Sequence, residues 1–487
     1  KKYWFKNCIL IDMKKNFFRK VGFGIGPEEQ VPNDPVSWAQ NQVDKVPPLL
    51  WDKPIRSGNE MLDYYAEWVY TDREILRKKH KGNRKAYENA KDQLRHKVGK
   101  RYFENLEICI RQNTALKSEA PVFERLWLFW CNHFAIIDKD AMPQFTTGPY
   151  HRETIRPNMC GSFETLLKEA TLGWSMIHNL DNSESIGPNS EWGKNRRKKG
   201  KLATVNENHA RELLELHTVS PAVKYSQEDV VQLSYIMAGW EHRHTKKRKE
   251  CNPVKFNQKK HEPGNHKVLG KIYKQRGLSP KNKLLDVLKD LAANPETRRF
   301  IAFKLCRHFL TDKPTEQMMA PIISAWEKSD GNLPTIHKAL LKVIYDYADK
   351  KGKFQNPEIW MLQMVHMVGG YWPLQADEMK YNFKIKPNNH QRKPRFFMKE
   401  IGYEPYRPIQ PNGYSDMESD WISPELLIRR ISAPKEIAKK NILLKNFETM
   451  IDKNFDNPKE MKKLIDKVKS PSTKMQILFP SYRMLKA

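Results

Sequence analysis

Apolar residues recur every three or four positions along most of the chain, the spacing of helices with one buried side. The period is plain in PVFERLWLFWCNHF (121–134), SFETLLKEATL (162–172), SQEDVVQLSYIMAGW (226–240) and PETRRFIAFKLCRHFL (295–310). It returns in LPTIHKALLKVIYDYA (333–348) and PEIWMLQMVHMVGG (357–370). Start and stop signals agree with it. Thr204 with Glu207, and Ser226 with Asp229, have capping-box spacing; Pro295 and Pro357 suit first turns, and Gly239 and Gly369 suit helix ends.

Strand patterning is thin. VKFNQ (254–258) and KVLGKIY (267–273) flank KKHEPGNH and predict one β-hairpin, with His261 and His266 exposed in its loop. Polar or Pro-rich segments at about 183–203, 241–283 and 371–423 read as long loops. The expected fold is therefore mainly α: a multi-helical globular domain with a small β-hairpin and long loops. One extended helical domain over 13–480 fits the pattern. So do two helical lobes, about 13–240 and 284–480, joined by the basic region 241–283. Met13 followed by two lysines resembles a start, so residues 1–12 read as an upstream extension.

Composition adds charge to this picture. Lys and Arg number 86 against 57 Asp and Glu, a net +29. Runs such as RKKHKGNRK (77–85), KNRRKKGK (194–201), HRHTKKRKE (242–250) and NNHQRKPRFF (388–397) concentrate it. Such runs suit nucleic acid or another polyanion, although lysine-rich loops also serve solubility alone. No apolar run approaches the 18 residues of a membrane span. The six cysteines lack CxxC spacing, which fits reduced thiols. With no secretory signal visible at the N-terminus, the cytoplasm is the default expectation.

The candidate chemistry gathers in TVNENHARELLELHTVS, Thr204 to Ser220. At 100° per residue, Ala210, Leu213, Leu214 and Leu216 form an apolar arc with His217 in its middle. Glu207, Arg211 and Glu215 follow one another on the opposite side, with Asn208 and Glu212 beside them. Two readings compete: an ordinary charge ladder with a core histidine, or a carboxylate-lined pocket for proton transfer or a metal. His133 and His308 face inward on their own helices and read as core histidines. HExxH spacing, a Walker loop, a GxSxG elbow and a dinucleotide fingerprint are all missing from the sequence.

NENHARELLELHTVS followed by YSQEDVVQLSYIMAGW resembles the signature of a bacterial family, domain of unknown function 1800. FFRKVGFG (17–24), FWCNHF, ETIRPNMCGSFETLL, MIHNLDNSES, HEPGNHKVLG and PNGYSDMESDWISPELLIRR are similar to further blocks of that family, from roughly Lys14 to Lys435. His209 stands where an aromatic residue is usual, and Ser220 where glycine is usual. The resemblance implies a largely helical fold and brings no established activity. It directs attention to His133, Arg156, Asp181, Asn182, Asn206, Glu207, Asn208, Arg211, Glu212, Glu215, His217, Asp229, His261, Gly264, Lys267, Lys304 and His308. It also implies export for many members, making a periplasmic location the minority option here, and a phosphatase-like protein encoded nearby as a partner.

The combined expectation is an enzyme-like pocket, an acid/base or metal-assisted hydrolase. Glu207, Glu212, Glu215 and Asp181 are its acid/base candidates, and Arg211 orients substrate. His133, His217 and His261 are proton carriers or, with Glu212, ligands of a divalent metal. Arg156, Asn182, Asn206, Asn208, His261 and Lys267 are the substrate-binding candidates. The alternative is a non-enzymatic binding or scaffold protein whose basic loops hold nucleic acid, another polyanion or a protein.

Overall fold

The computed structural model describes residues 16–486, apart from 52–54, 68–71, 98–99, 220–223, 243–253, 276–279, 349–351, 371, 373–393, 442–446 and 456–457. The proposed extension 1–12, Ser220, Cys8, Cys251 and the basic runs at 243–250 and 388–393 lie outside these residues. What is described is mainly α, with two small antiparallel two-stranded sheets.

The helices that position the candidate residues are α1 (Lys100–Lys117), α2 (Pro121–His133), α3 (Glu191–Lys198), α4 (Asn208–Glu212) and α5 (Gln227–Met237). After the strands come α6 (Asn282–Ala293), α7 (Pro295–Phe309), α8 (Leu333–Tyr347) and α9 (Pro357–Met367). Pro121, Pro295 and Pro357 occupy first turns, where a missing N–H removes no helical bond. Gly239 and Gly369 follow α5 and α9 with φ of 100° and 68°, the left-handed geometry that ends a helix.

One core packs α2 and α5 through α8 around Trp130, Leu213, Leu233, Leu288, Ile301 and Leu340. A second packs α9 with C-terminal helices, and α1 and α2 lend it Ile108, Leu116 and Leu128. Being apolar on nearly every side, α2 is buried along its whole length except Asn132. Two of its indole donors are matched: Trp127 Nε1 donates to the His151 carbonyl at 3.0 Å and Trp130 Nε1 to His337 Nε2 at 3.1 Å.

The strands pair differently from the sequence expectation. β1 (Trp240–His242) pairs with β2 (Val254–Phe256), and β3 (His266–Val268) pairs with β4 (Lys271–Tyr273). The segment 254–256 therefore belongs to a different hairpin from 267–273. Leu269 and Gly270, with φ of 49° and 80°, make the tight turn of the second hairpin. His261 and His266 are buried, not exposed: His261 lies between the hairpins, and His266 begins β3, where its Nδ1 meets Gln232 Oε1 of α5 at 2.9 Å. The expected loop 183–203 contains α3, and the loop 371–423 contains a helix at Pro394–Glu400.

Candidate functional site

The segment around α4 does not begin with the expected Thr204–Glu207 box. Asn206 Oδ1 accepts from the Asn208 amide at 2.9 Å, and Asn206 N donates to Ser185 Oγ at 2.9 Å. Glu207 makes no side-chain cap bond. Its carboxylate is taken by Arg211 at 3.2 Å and by Gln227 Nε2 at 2.6 Å. Arg211 also reaches Gln227 Oε1 at 2.8 Å and Glu215 Oε1 at 3.5 Å, while Tyr225 OH donates to Glu215. The ladder is thus a polar clasp between α4 and the start of α5, on the half-exposed face of the helix. Exposed ion pairs of this kind contribute about 0.2–1 kcal/mol each.

Beyond Glu212 the helix widens into a π-turn, Leu213–His217, closed by Thr218 Oγ1 donating to the Leu213 carbonyl at 2.6 Å. The widened turn carries His217 into the core. There it lies 6.0 Å, ring to ring, from His133. His133 Nε2 lies 3.3 Å from the His217 carbonyl, which can only accept. The proton is therefore on Nε2, and Nδ1 accepts from Lys304 Nζ at 2.9 Å. Burial, with Lys304 adding to it, holds His133 well below the ordinary imidazole value. Burial likewise pushes Lys304 down to about 8. Among the described residues neither ring nitrogen of His217 or of His209 has a partner, and burial pushes both imidazoles down to about 3. These are neutral bases in the buried core.

Glu212 stands between the two faces. Its half-buried carboxyl is raised by burial and by Glu215, with Arg211 opposing. Among the described residues this carboxylate has no hydrogen-bond or ion-pair partner.

The other candidates serve separate places. Arg156 grips the buried Glu124 carboxylate at 2.5 and 2.7 Å. Asp181, at φ 58°, pairs with Lys139. Asn182 Nδ2 ties the Met237 and Trp240 carbonyls together at 3.1 and 2.7 Å. Asn208 is exposed, and its backbone amide is the group Asn206 caps. His261 Nδ1 donates to the Ala238 carbonyl at 2.9 Å; among the described residues its buried Nε2 has no partner, and burial pushes the ring down to about 4. His308 Nδ1 lies 2.7 Å from Asp416 Oδ1. Lys267 points outward into an open groove of about 490 Å³ that Asp229, Gln232 and Asn265 also line. Ser226 caps α5, accepting the Asp229 amide, while the Asp229 carboxylate accepts the Ser226 amide in return and the Leu269 amide at 2.8 Å, so it pins the hairpin.

The structure thus brings Glu207, Arg211 and Glu215 together on one side of the segment, and His133, His217 and Lys304 on the other. Among the described residues no three His, Cys, Asp or Glu side chains converge as a metal-ligand set. His133, His217, His261 and Glu212 therefore do not fit a shared divalent ion. Sequence reading missed Gln227 and Tyr225, the second half of the clasp. Their signal was position: both flank the first turn of α5.

No curated protein and no solved structure matches the chain. Residues 16–478 match the family model described as a protein of unknown function, DUF1800. That match spans most of the sequence, and the chain belongs to the DUF1800 family.

Proposed function

We propose that the protein is a binding protein for single-stranded nucleic acid, held on the face built around α3. The observation that carries this reading is a basic segment with an aromatic in it. Lys194, Arg196, Arg197 and Lys198 of α3, then Lys199 and Lys201, are all exposed. On the same segment Trp192 is 43% and Leu202 83% exposed. Lys260 Nζ lies 5.2 Å from the Trp192 ring centre. Cations that neutralise phosphates beside a ring on which a base can stack are the parts that sequence-tolerant strand binding uses. The net charge of +29 favours the same partner at long range.

The test is fluorescence anisotropy of a labelled oligothymidine with the full chain across a salt series. Affinity should fall with salt with a log–log slope of about −4, the value for six phosphate contacts on a single strand. Trp192→Ala should weaken binding about tenfold through lost stacking. Salt-independent association, or none at low salt, would remove the reading.

One observation favours a second reading, acid/base hydrolysis at the family signature. Glu212 is a half-buried carboxyl with a raised proton affinity, placed where the helix changes from α to π. Glu212→Gln would then abolish turnover of an ester or phosphoester panel that the wild type hydrolyses. A wild type inactive on the whole panel would leave the binding reading alone.

A further inference from the structure

We propose that Lys260 fixes the Trp192 ring with one face open, so that the strand site on α3 takes purine bases, guanine foremost, over pyrimidines. This inference rests on the single-strand reading above and names the base that the reading leaves open.

Trp192 stands on backbone held from several sides. Ser190 caps α3, its hydroxyl accepting the Gly193 amide at 3.0 Å. A Cβ at Gly193 would come within 2.2 Å of the Gly187 carbonyl, so the first turn of α3 lies directly on the chain before it. The buried Glu262 carboxylate holds that chain, accepting the Asn189 amide at 2.8 Å and Asn189 Nδ2 at 2.7 Å. The Trp192 amide itself donates to the Lys259 carbonyl at 2.9 Å.

The next residue sets the ring. Lys260 Nζ lies over the indole, 5.2 Å from its centre. The same ammonium is anchored by Glu241 Oε2 at 2.6 Å and by the Ser183 carbonyl at 3.2 Å. Glu241 is a buried residue of β1, and Asn257 Nδ2 donates to its other oxygen at 3.1 Å. Lys260 therefore differs from the lysines and arginines of α3. Its charge is matched within the protein and its side chain is 12% exposed, which makes it a mount for the ring and not a phosphate contact. Trp192 nonetheless stays 43% exposed, so a base stacks on the face opposite Lys260.

Two properties of that face select the base. Indole has two fused rings, so a purine overlaps it more fully than a pyrimidine does, and stacking strength is what gives such sites a base preference. The ammonium draws π density toward its own side and leaves the open face poorer in electrons. Guanine, the most electron-rich base, gains most from that partner.

The experiment measures the anisotropy of three labelled oligothymidines of about twelve nucleotides with the full chain. They differ only in the central base, thymine, adenine or guanine, so the phosphate contribution cancels between them. The guanine strand should bind about fivefold tighter than the all-thymine strand, with adenine between. Lys260→Met should bring the three affinities together yet keep the wild-type salt slope, because Glu241 already neutralises that ammonium. Trp192→Ala, at an exposed position, should flatten the preference too, and it decides alone if the methionine variant fails to fold. Equal binding of the three strands by the wild type would overturn purine selection and leave strand binding standing. No binding of any strand at low salt would remove both. A preference retained in either variant would also overturn the proposal. So would a slope shallower by about 0.7 in Lys260→Met, the mark of a lost phosphate contact.

Discussion

Arg156 holds Glu124 with both ends of its guanidinium, at 2.5 and 2.7 Å, in a place where neither side chain meets water. The Arg156 guanidinium also lies 4.6 Å from the Trp127 ring centre and 5.0 Å from that of Phe123. Removing one partner strands the other. Arg156→Met should lower unfolding free energy by about 3–5 kcal/mol, whereas Arg156→Met with Glu124→Leu should recover most of it. Urea denaturation of the two variants checks this; equal losses in both would show that the pair does not hold the helix.

The signature ladder behaves differently because it is half-exposed. Arg211→Ala should cost no more than about 1 kcal/mol, since each exposed pair is weak and Gln227 retains its bond to Glu207. A loss above about 3 kcal/mol would mean that the clasp carries strain elsewhere. Thermal denaturation at low and high salt separates the two outcomes.

Glu212 gives a pH signature of known sign. Its folded-state proton affinity is raised above the ordinary 4.5, so the folded chain holds that proton more tightly than the unfolded chain. The group's contribution is fully present below 4.5 and is lost as pH rises through the raised value. Glu212→Gln removes that loss. The variant should match wild type at pH 4 and exceed it at pH 7 in denaturant midpoint. A variant less stable at pH 7 would contradict the assignment.

His209 should act in the opposite direction. Burial pushes it from 6.5 to about 3, so the unfolded chain takes the proton first as pH falls. Stability tied to this ring is full above 6.5 and drains away toward 3. Between pH 6.5 and 5 one such histidine removes about 2 kcal/mol. His209→Phe, which keeps a flat ring in the core and removes the titrating group, should reduce the pH 7 to pH 5 stability loss by about that amount. An unchanged loss would place the titration on other groups.

Asp229 joins two elements with one carboxylate, accepting the Ser226 amide at 2.8 Å to complete the capping box of α5 and the Leu269 amide at 2.8 Å. Asp229→Ala should cost about 1–2 kcal/mol as a cap loss and release the β3–β4 turn. Faster amide exchange at Leu269 and Gly270 would confirm the second part; unchanged exchange there would refute it.

The sequence by itself determined the mainly helical fold, several helix starts and the inward direction of His133 and His217. These follow from local rules: apolar spacing, first-turn prolines such as Pro295, and the Ser226–Asp229 box, whose atoms are three residues apart. It also carried the family signature. Tertiary structure alone decided which strand β2 pairs with, because three-residue strands hold too little pattern to choose among partners. It decided that Glu207 would not cap its helix, since Arg211 and Gln227, the latter from another helix, occupy that carboxylate. And it decided the surroundings of His151: Arg111, Thr147 and Tyr406 lie far apart along the chain and come to line one small cavity only when the helices pack.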